Sequence, residues 1–192
     1  FLGEMAVQAD VRYNYKRKFG VHTNFSNITD LDNNLLYREL YTEFSYKIER
    51  TWQILAGLQI QRYNQEVFEF KPDAPIVETT TPFFDILYKI SRRKSVRFEG
   101  QAMLTGKDDK GERHDYGNWL FGLVEFSVAP HWTFTVSDMY NVSPGKNSPV
   151  DDSGEKADLH YPRFDVFYPT GPNRFSLSYI KQVEGVVCTG GI

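Results

Sequence analysis

The chain has 192 residues, of which 41% are hydrophobic, 24% charged and 16% aromatic, and its formal net charge is −3. This length predicts one domain, and the balanced charge argues against nucleic acid as a partner. Mean hydropathy is −0.48, and no run approaches the roughly 20 apolar residues of a membrane-spanning helix. These values do not exclude a membrane β-barrel, because only every second residue of its strands is apolar.

Apolar and polar residues alternate from the beginning of the chain, which is the period of a β-strand with one apolar and one polar face. The first such segment covers residues 5–15. The pattern recurs at 21–26, 38–48, 52–61, 84–90, 95–105, 120–128, 132–137, 163–168 and 174–179. The sequence therefore predicts about ten strands and no helix, and many of the strands are near the roughly 9–11 residues that cross a bilayer at a tilt.

The connections between the predicted strands alternate in length. Short connections are predicted near 17–20, 49–50, 91–93, 129–131 and 169–173. Long connections are predicted near 27–35, 64–80, 106–118 and 141–159. This alternation is typical of an antiparallel, up-and-down transmembrane β-barrel, with tight periplasmic turns and long extracellular loops. We therefore expect the bacterial outer membrane as the location, with the short turns periplasmic and the long loops extracellular.

Aromatic residues recur beside the short turns. They are Tyr46, Trp52, Tyr88, Trp132 and Tyr168. Amphipathic rings collect at the level of the lipid headgroups, so these positions are interpreted as an interfacial aromatic girdle. The alternative is that they are ordinary strand residues, since aromatic side chains also have high β-propensity.

The polar face of the predicted strands carries many charged side chains. The candidate lumen-facing residues are Asp10, Arg12, Glu39, Glu43, Asp85, Arg97, Glu99, Glu125, Arg163 and Asp165. Burying such charges without partners is very costly, so they face either bulk water, as in a lipocalin-like barrel, or a wide aqueous lumen. The large number of strands, and the many large aromatic rings on the apolar face, favour a wide aqueous lumen over a lipocalin-like barrel. These charges form either a structural ladder of cross-strand pairs or the lining of a channel.

The directions of the strands predict that the barrel is larger than this segment. If the short turns are periplasmic, the first strand runs towards the periplasm and the last runs away from it. Bacterial single-chain barrels have an even number of strands, with both ends normally periplasmic. We therefore expect residues 1–192 to be a segment of one outer-membrane barrel domain that lacks strands at both ends, in a barrel of about 12 strands or more.

Three stretches of the chain resemble a known family. They are WLFGLVEFSVAPHW (119–132), VSDMYN (136–141) and RFSLSYIKQVEGVVCTGGI (174–192). They resemble the carboxy-terminal part of an uncharacterised outer-membrane β-barrel family of Bacteroidota, a domain of unknown function. The resemblance implies that a second cysteine and one final strand follow, which would make Cys188 half of a short-loop disulfide on the outer face. It implies no activity.

The sequence contains no motif that carries chemistry. No nucleophile elbow, zinc-protease motif or phosphate loop occurs, and no two histidines have metal-ligand spacing. We predict no catalytic, cofactor-binding or metal-binding residues, no cofactor and no enzymatic activity. The predicted function is a porin-like or transport-associated channel. The alternatives are a non-conducting barrel that serves as a structural or assembly subunit of an outer-membrane complex, and a soluble all-β binding protein. The predicted partners are the lipid bilayer, lipopolysaccharide and other outer-membrane proteins.

Overall fold

Ten antiparallel strands make up most of the part of the chain that the structure describes. The computed structural model describes residues 3–16, 18–68, 74–108, 110–150, 152–157 and 159–181. The strands are β1 (Glu4–Tyr15), β2 (Phe19–Asp30), β3 (Leu35–Ile48), β4 (Trp52–Asn64), β5 (Ile76–Lys89), β6 (Lys94–Thr105), β7 (Gly117–Val128), β8 (Trp132–Pro144), β9 (Arg163–Thr170) and β10 (Asn173–Ile180). One helical turn, α1 (Gln65–Phe68), follows β4. The predicted number of strands is confirmed.

The strands form a single sheet in which each strand pairs with the next along the chain, from β1 to β10. Every pairing is antiparallel, so the predicted up-and-down order is confirmed. β1 and β10 each have a neighbour on one side only, and the sheet is therefore open. Each of these two edge strands presents a row of unpaired backbone N–H and C=O groups.

The structure corrects the predicted strand ends and two of the long connections. β5 begins at Ile76, inside the segment 64–80 that the sequence assigns to a long connection. Its threonines at 79–81 suit a strand, because β-branched residues favour extended backbone. The other correction changes the kind of connection: β2 and β3 extend into the predicted long connection 27–35, which is reduced to residues 31–34.

The tight connection between β2 and β3 is closed by the side chain of Asp30. Its Oδ1 accepts hydrogen bonds from the backbone N–H groups of Asp32 (2.9 Å) and Asn34 (2.8 Å), and its Oδ2 accepts one from Asn34 Nδ2 (2.8 Å). The side-chain hydrogen bond from Asn34, supported by the two backbone N–H groups, lowers the pKa of Asp30 from its ordinary value. Asn33 has φ 64°, in the left-handed region that asparagine tolerates. One aspartate thus organises a turn where polar composition alone suggests a long loop.

Apolar side chains lie opposite one another across neighbouring strands. Leu40 of β3 lies opposite Ile60 of β4, and Ile54 of β4 lies opposite Ile86 of β5. Because side chains alternate between faces along each strand, these registers place the apolar sets of all ten strands on one face of the sheet. The interleaved polar sets share the other face. A slip by one residue would move a whole strand's apolar set to the polar face.

The apolar face is the exposed one. Among the described residues, the buried hydrophobic side chains are only Leu36 and Val77. On the apolar face, Leu58 is 39% exposed and Leu177 of the edge strand β10 is 70% exposed. On the polar face, by contrast, Asp165 is 3% exposed. A sheet of a water-soluble protein normally packs its apolar face on a core and leaves the polar face to solvent, which is the opposite of this distribution.

Gly57 lies where two aromatic rings meet on the polar face. In the register, Gly57 of β4 is flanked by Glu43 of β3 and Phe83 of β5. The rings of Tyr41 and Phe83 stack across β4, with centroids 5.5 Å apart and an angle of 15° between their planes. A Cβ atom on Gly57 would overlap both the Phe83 ring and the backbone carbonyl oxygen of Thr42. Glycine at this position therefore allows the ring to lie across the strand.

We expect Gly57→Ala to lower the free energy of unfolding by about 1–2 kcal/mol, because the methyl group must displace a ring or a strand. The matched control is Gly122→Ala in β7, where an added Cβ meets nothing within 4 Å. That change should be neutral or slightly stabilising, since it removes only the flexibility of glycine from a strand. Urea unfolding midpoints of the two variants provide the measurement. Equal effects of both substitutions would contradict the close approach at Gly57.

Candidate functional site

The polar face of the sheet holds all ten residues predicted to face a lumen. Alternation and register place Asp10 and Arg12 of β1 on the same side as Glu39 and Glu43 of β3. The other six lie on that side of β5, β6, β7 and β9, and are Asp85, Arg97, Glu99, Glu125, Arg163 and Asp165. Nine of the ten fall into three separate clusters, and Glu39 is instead bonded to Tyr37.

The first cluster is centred on Arg97 of β6. Its Nε donates a hydrogen bond to Asp85 Oδ2 at 2.7 Å. Its Nη2 lies 2.5 Å from the same oxygen and 2.7 Å from Glu99 Oε2. Glu125 of β7 is directly opposite Arg97 in the register. One guanidinium group therefore binds two carboxylates and lies opposite a third on the next strand, and the cluster has an excess of negative charge.

The second cluster joins the last two strands. Arg163 Nε and Nη2 donate to the two carboxylate oxygens of Asp165, at 2.7 and 3.0 Å. Ser178 of β10 donates a third hydrogen bond to Asp165 Oδ1 at 2.5 Å. This arrangement satisfies a carboxylate that is only 3% exposed, as burial of a charge requires. It also ties the edge strand β10 to β9 through side chains.

The third cluster contains a histidine, His22, that was not among the predicted lumen-facing residues. His22 Nε2 lies 2.7 Å from Asp10 Oδ2, and its Nδ1 lies 4.0 Å from Glu43 Oε1. Asn24 donates to the same Asp10 oxygen at 3.2 Å, and Arg12 Nε lies 3.2 Å from Asp10 Oδ1. The alternation of β2 already places His22 on the polar face, so this signal is present in the sequence. Its partners are set by the strand register.

Tyrosine hydroxyl groups add to the polar face on β3. Tyr37 donates a hydrogen bond to Glu39, and Tyr41 donates one to Glu43. The ring of Tyr41 also contacts His22 edge-on, with centroids 5.6 Å apart. Because each tyrosine lies two residues before the glutamate that it binds, the pairs run along the strand. They orient two of the predicted lumen-facing carboxylates.

The predicted aromatic residues lie on the apolar face next to the short turns. The rings of Trp52 and Tyr88 are 4.3 Å apart between centroids, and those of Trp132 and Tyr168 are 4.5 Å apart. Tyr46 lies at the same end of the apolar face, opposite Ile54, which is two residues from Trp52 along β4. Its side chain is 49% exposed. The five rings therefore gather at one end of the apolar face, and four of them form two close pairs.

A cavity of about 610 Å³ lies at the long-connection end of the polar face. Trp119 of β7 and Met139 of β8 line it from the sheet, and Leu159 and Tyr161 line it from the connection between β8 and β9. The rings of Trp119 and Tyr161 stack at 5.9 Å. This cavity was not predicted from the sequence, because only folding of the connection brings Leu159 and Tyr161 against the sheet.

Neither a metal site nor a membrane-spanning helix is found in the part of the chain that the structure describes. No three His, Cys, Asp or Glu residues are grouped there so that they could hold a metal ion. In the same part of the chain, no helix has the length and apolar character needed to cross a membrane. Cys188, for which the resemblance implies a disulfide, lies outside the described residues.

These features define an all-β protein with one open ten-stranded antiparallel sheet, an exposed apolar face and an ion-paired polar face. The chain belongs to a family of unknown function (DUF6029), whose model matches residues 2–192. This match agrees with the expected membership of an uncharacterised family. No curated protein and no solved structure matches the chain.

Proposed function

We propose that this chain forms part of the wall of an outer-membrane β-barrel that acts as a porin-like or transport-associated channel. The observation that carries the proposal is the distribution of exposure: the apolar face is exposed, whereas ion-paired groups such as Asp165 are enclosed on the polar face. An apolar face of ten strands needs a covering layer. Contact of the apolar face with lipid, and of the polar face with an aqueous lumen, would give each face an environment that matches its polarity.

The height of the apolar face supports a bilayer as its covering. At the short-turn end it is bounded by the row of Ile48 and Trp52, and at the other end by the cross-strand pair of Arg38 and Arg62. These rows are 10 residues apart along β3 and β4, which at roughly 3.3 Å per residue is about 33 Å. A tilt of about 40° reduces this to about 25 Å, the height of the apolar band in outer-membrane barrels.

The proposal requires that the free edges of β1 and β10 be paired in the membrane. Unpaired backbone N–H and C=O groups are too costly in hydrocarbon for an open sheet edge to face lipid. The two edges must therefore pair with one another or with further strands. All twelve residues of β1 and all eight of β10 are exposed, so both strands are accessible for such pairing.

A non-conducting barrel with a structural or assembly role is the second candidate. Bulky side chains that extend across the polar face favour this candidate. The stacked rings of Tyr41 and Phe83 span three strands, and the connection between β8 and β9 packs against Trp119 at the long-connection end. Both features would narrow a lumen, and the cavity at Trp119 would offer a partner protein a contact site.

Planar-bilayer recording of the full-length protein distinguishes these candidates. Insertion is first verified by heat-modifiable migration on a denaturing gel and by extraction from the outer membrane only with detergent. A channel is expected to give stepwise conductance. An inserted protein without conductance would support the structural candidate, for which a co-purifying partner in mild detergent is then expected. A protein found in the soluble fraction would contradict both.

A further inference from the structure

Positive charge collects at the short-turn end of the sheet. The described basic residues in or next to the short turns are Lys16, Lys18, Arg50, Lys89, Arg92, Arg93, Lys94 and Arg174. Glu49 is the only carboxylate in the described parts of these turns, 16–18, 49–51, 90–93, 129–131 and 171–172. The connections at the other end of the sheet are different, since they carry many carboxylates, such as Asp32, Asp108 and Glu112. The two ends of the sheet therefore have opposite electrostatic character.

Five of these basic residues form one cluster around a cleft of about 500 Å³. The basic cluster consists of Arg50, Lys89, Arg92, Arg93 and Lys94. The hydroxyl-bearing residues Thr51, Ser91, Ser95 and Ser127 line the same cleft. Within the part of the chain that the structure describes, no carboxylate forms an ion pair with any member of the basic cluster. The cluster is thus a site with five positive charges and several hydroxyl groups.

Hydrogen bonds between three short turns hold the basic cluster together. The backbone N–H of Lys89 donates to the carbonyl of Thr51 at 2.8 Å, and that of Ala129 donates to the carbonyl of Arg93 at 2.7 Å. Within the β5–β6 turn, the Ser91 hydroxyl accepts hydrogen bonds from the N–H groups of Arg93 and Lys94, both at 3.2 Å. The five positive charges are therefore held close together, and a bound anion would relieve the repulsion among them.

The basic cluster is continuous with the aromatic end of the apolar face. Lys94 lies opposite Val128 in the register, and Val128 lies opposite Trp132. Lys89 follows Tyr88 directly and pairs with Ser95, so by alternation it lies on the polar face. In a barrel, aromatic rings at the membrane boundary lie at the level of the headgroups, and lysine and arginine next to them extend towards the interface. Lys94 and the turn residues Arg50, Arg92 and Arg93 are thus placed beside the headgroups of one leaflet.

We propose that the basic cluster binds the anionic phosphodiester headgroups of the lipid leaflet at the short-turn end. This inference rests on the proposed function, because it needs the apolar face to lie in lipid. Arginine and lysine are the side chains that bind phosphate groups, arginine through two parallel hydrogen bonds. Basic residues near an anionic membrane surface are attracted to it, and this attraction falls off within a Debye length. Increasing salt should therefore weaken the contact.

The test compares two variants with the same change in net charge. In the first, the cluster is neutralised by Arg50→Gln, Arg92→Gln, Arg93→Gln and Lys94→Gln. In the control, four exposed lysines of the long connections are neutralised by Lys107→Gln, Lys110→Gln, Lys146→Gln and Lys156→Gln. Each full-length protein is reconstituted into vesicles of phosphatidylcholine alone, or of equal parts phosphatidylcholine and phosphatidylglycerol. Insertion is checked by protease protection, and the urea unfolding midpoint of each protein is measured in both kinds of vesicle.

Phosphatidylglycerol is expected to raise the unfolding midpoint of the wild-type protein and of the control variant, and this rise should be lost in the cluster variant. An inserted wild-type protein whose midpoint is the same in both vesicles would overturn this inference and leave the proposed function standing. Failure to insert in either vesicle would overturn both. If inorganic phosphate added to phosphatidylcholine vesicles raised the midpoint as much as phosphatidylglycerol does, the cluster would be a site for soluble phosphate and the lipid assignment would be wrong.

Discussion

Replacing Leu58 with arginine is expected to lower the free energy of unfolding in a bilayer by about 2–4 kcal/mol, the cost of a cation at the midplane of the lipid-facing surface of a barrel. Leu58 lies between Thr42 and Pro82 in the register, and along β4 it is four residues from the charged row at Arg62 and six from the aromatic row at Trp52. Its side chain is already 39% exposed. In water, the same substitution should therefore change stability by less than about 0.5 kcal/mol.

The matched control for this prediction is Ile48→Arg, at the short-turn rim of the same face. Ile48 is 43% exposed, almost the same as Leu58, so the two sites differ in depth and not in exposure. At the rim, an arginine side chain can extend to the headgroups, and a cost of about 0–1 kcal/mol is expected. Urea titrations of the folded protein in phospholipid bilayers measure both values. Equal effects at the two depths would contradict contact of this face with lipid.

Arg97→Gln is expected to lower the free energy of unfolding by about 2–3 kcal/mol. Loss of one partner from an enclosed ion pair leaves uncompensated charge, and the value is discounted here because the Arg97 side chain is 34% exposed and solvent screens the interaction. Asp85 and Glu99 would lose their cation, and Glu125 would lose its cross-strand partner.

Arg12→Gln provides the comparison, since Arg12 contacts a single carboxylate and its side chain is 67% exposed. Exposed ion pairs contribute about 0–1 kcal/mol, and Asp10 keeps its hydrogen bonds to His22 and Asn24. Unfolding free energies of both variants at pH 7 give the measurement. Equal losses at Arg97 and Arg12 would contradict the stabilising role of the two ion pairs at Arg97.

The alternation of residues was sufficient to predict the strands and their two faces. A period of two has one regular solution in a folded chain, an extended strand with side chains on opposite faces. Ten segments with this period, separated by short breaks, become an up-and-down sheet with little ambiguity, because sequential strands joined by tight turns pair as antiparallel neighbours. Glu39 and Glu43 could therefore be assigned to the polar face before their partners were known.

The strand ends were predicted less well because turn-forming and strand-forming residues overlap in composition. The stretch 27–35 contains several asparagines and aspartates, which normally indicate a loop. In the structure, Asp30 uses its carboxylate to close a turn of four residues, and the flanking residues continue the ladder. Whether one side chain can accept the hydrogen bonds that close a turn depends on the geometry of that turn, and the composition of the stretch does not describe this geometry.

The sequence by itself determined the strands, their order and the division into an apolar and a polar face, because these depend on local periodicity and on short connections. Only the tertiary structure decided which groups meet. The basic cluster joins Arg50 and Lys94, far apart in sequence, through hydrogen bonds between neighbouring turns, and the Trp119 cavity depends on a folded connection. The structure also decided which face is enclosed, since exposure depends on how the whole sheet is arranged and not on any single strand.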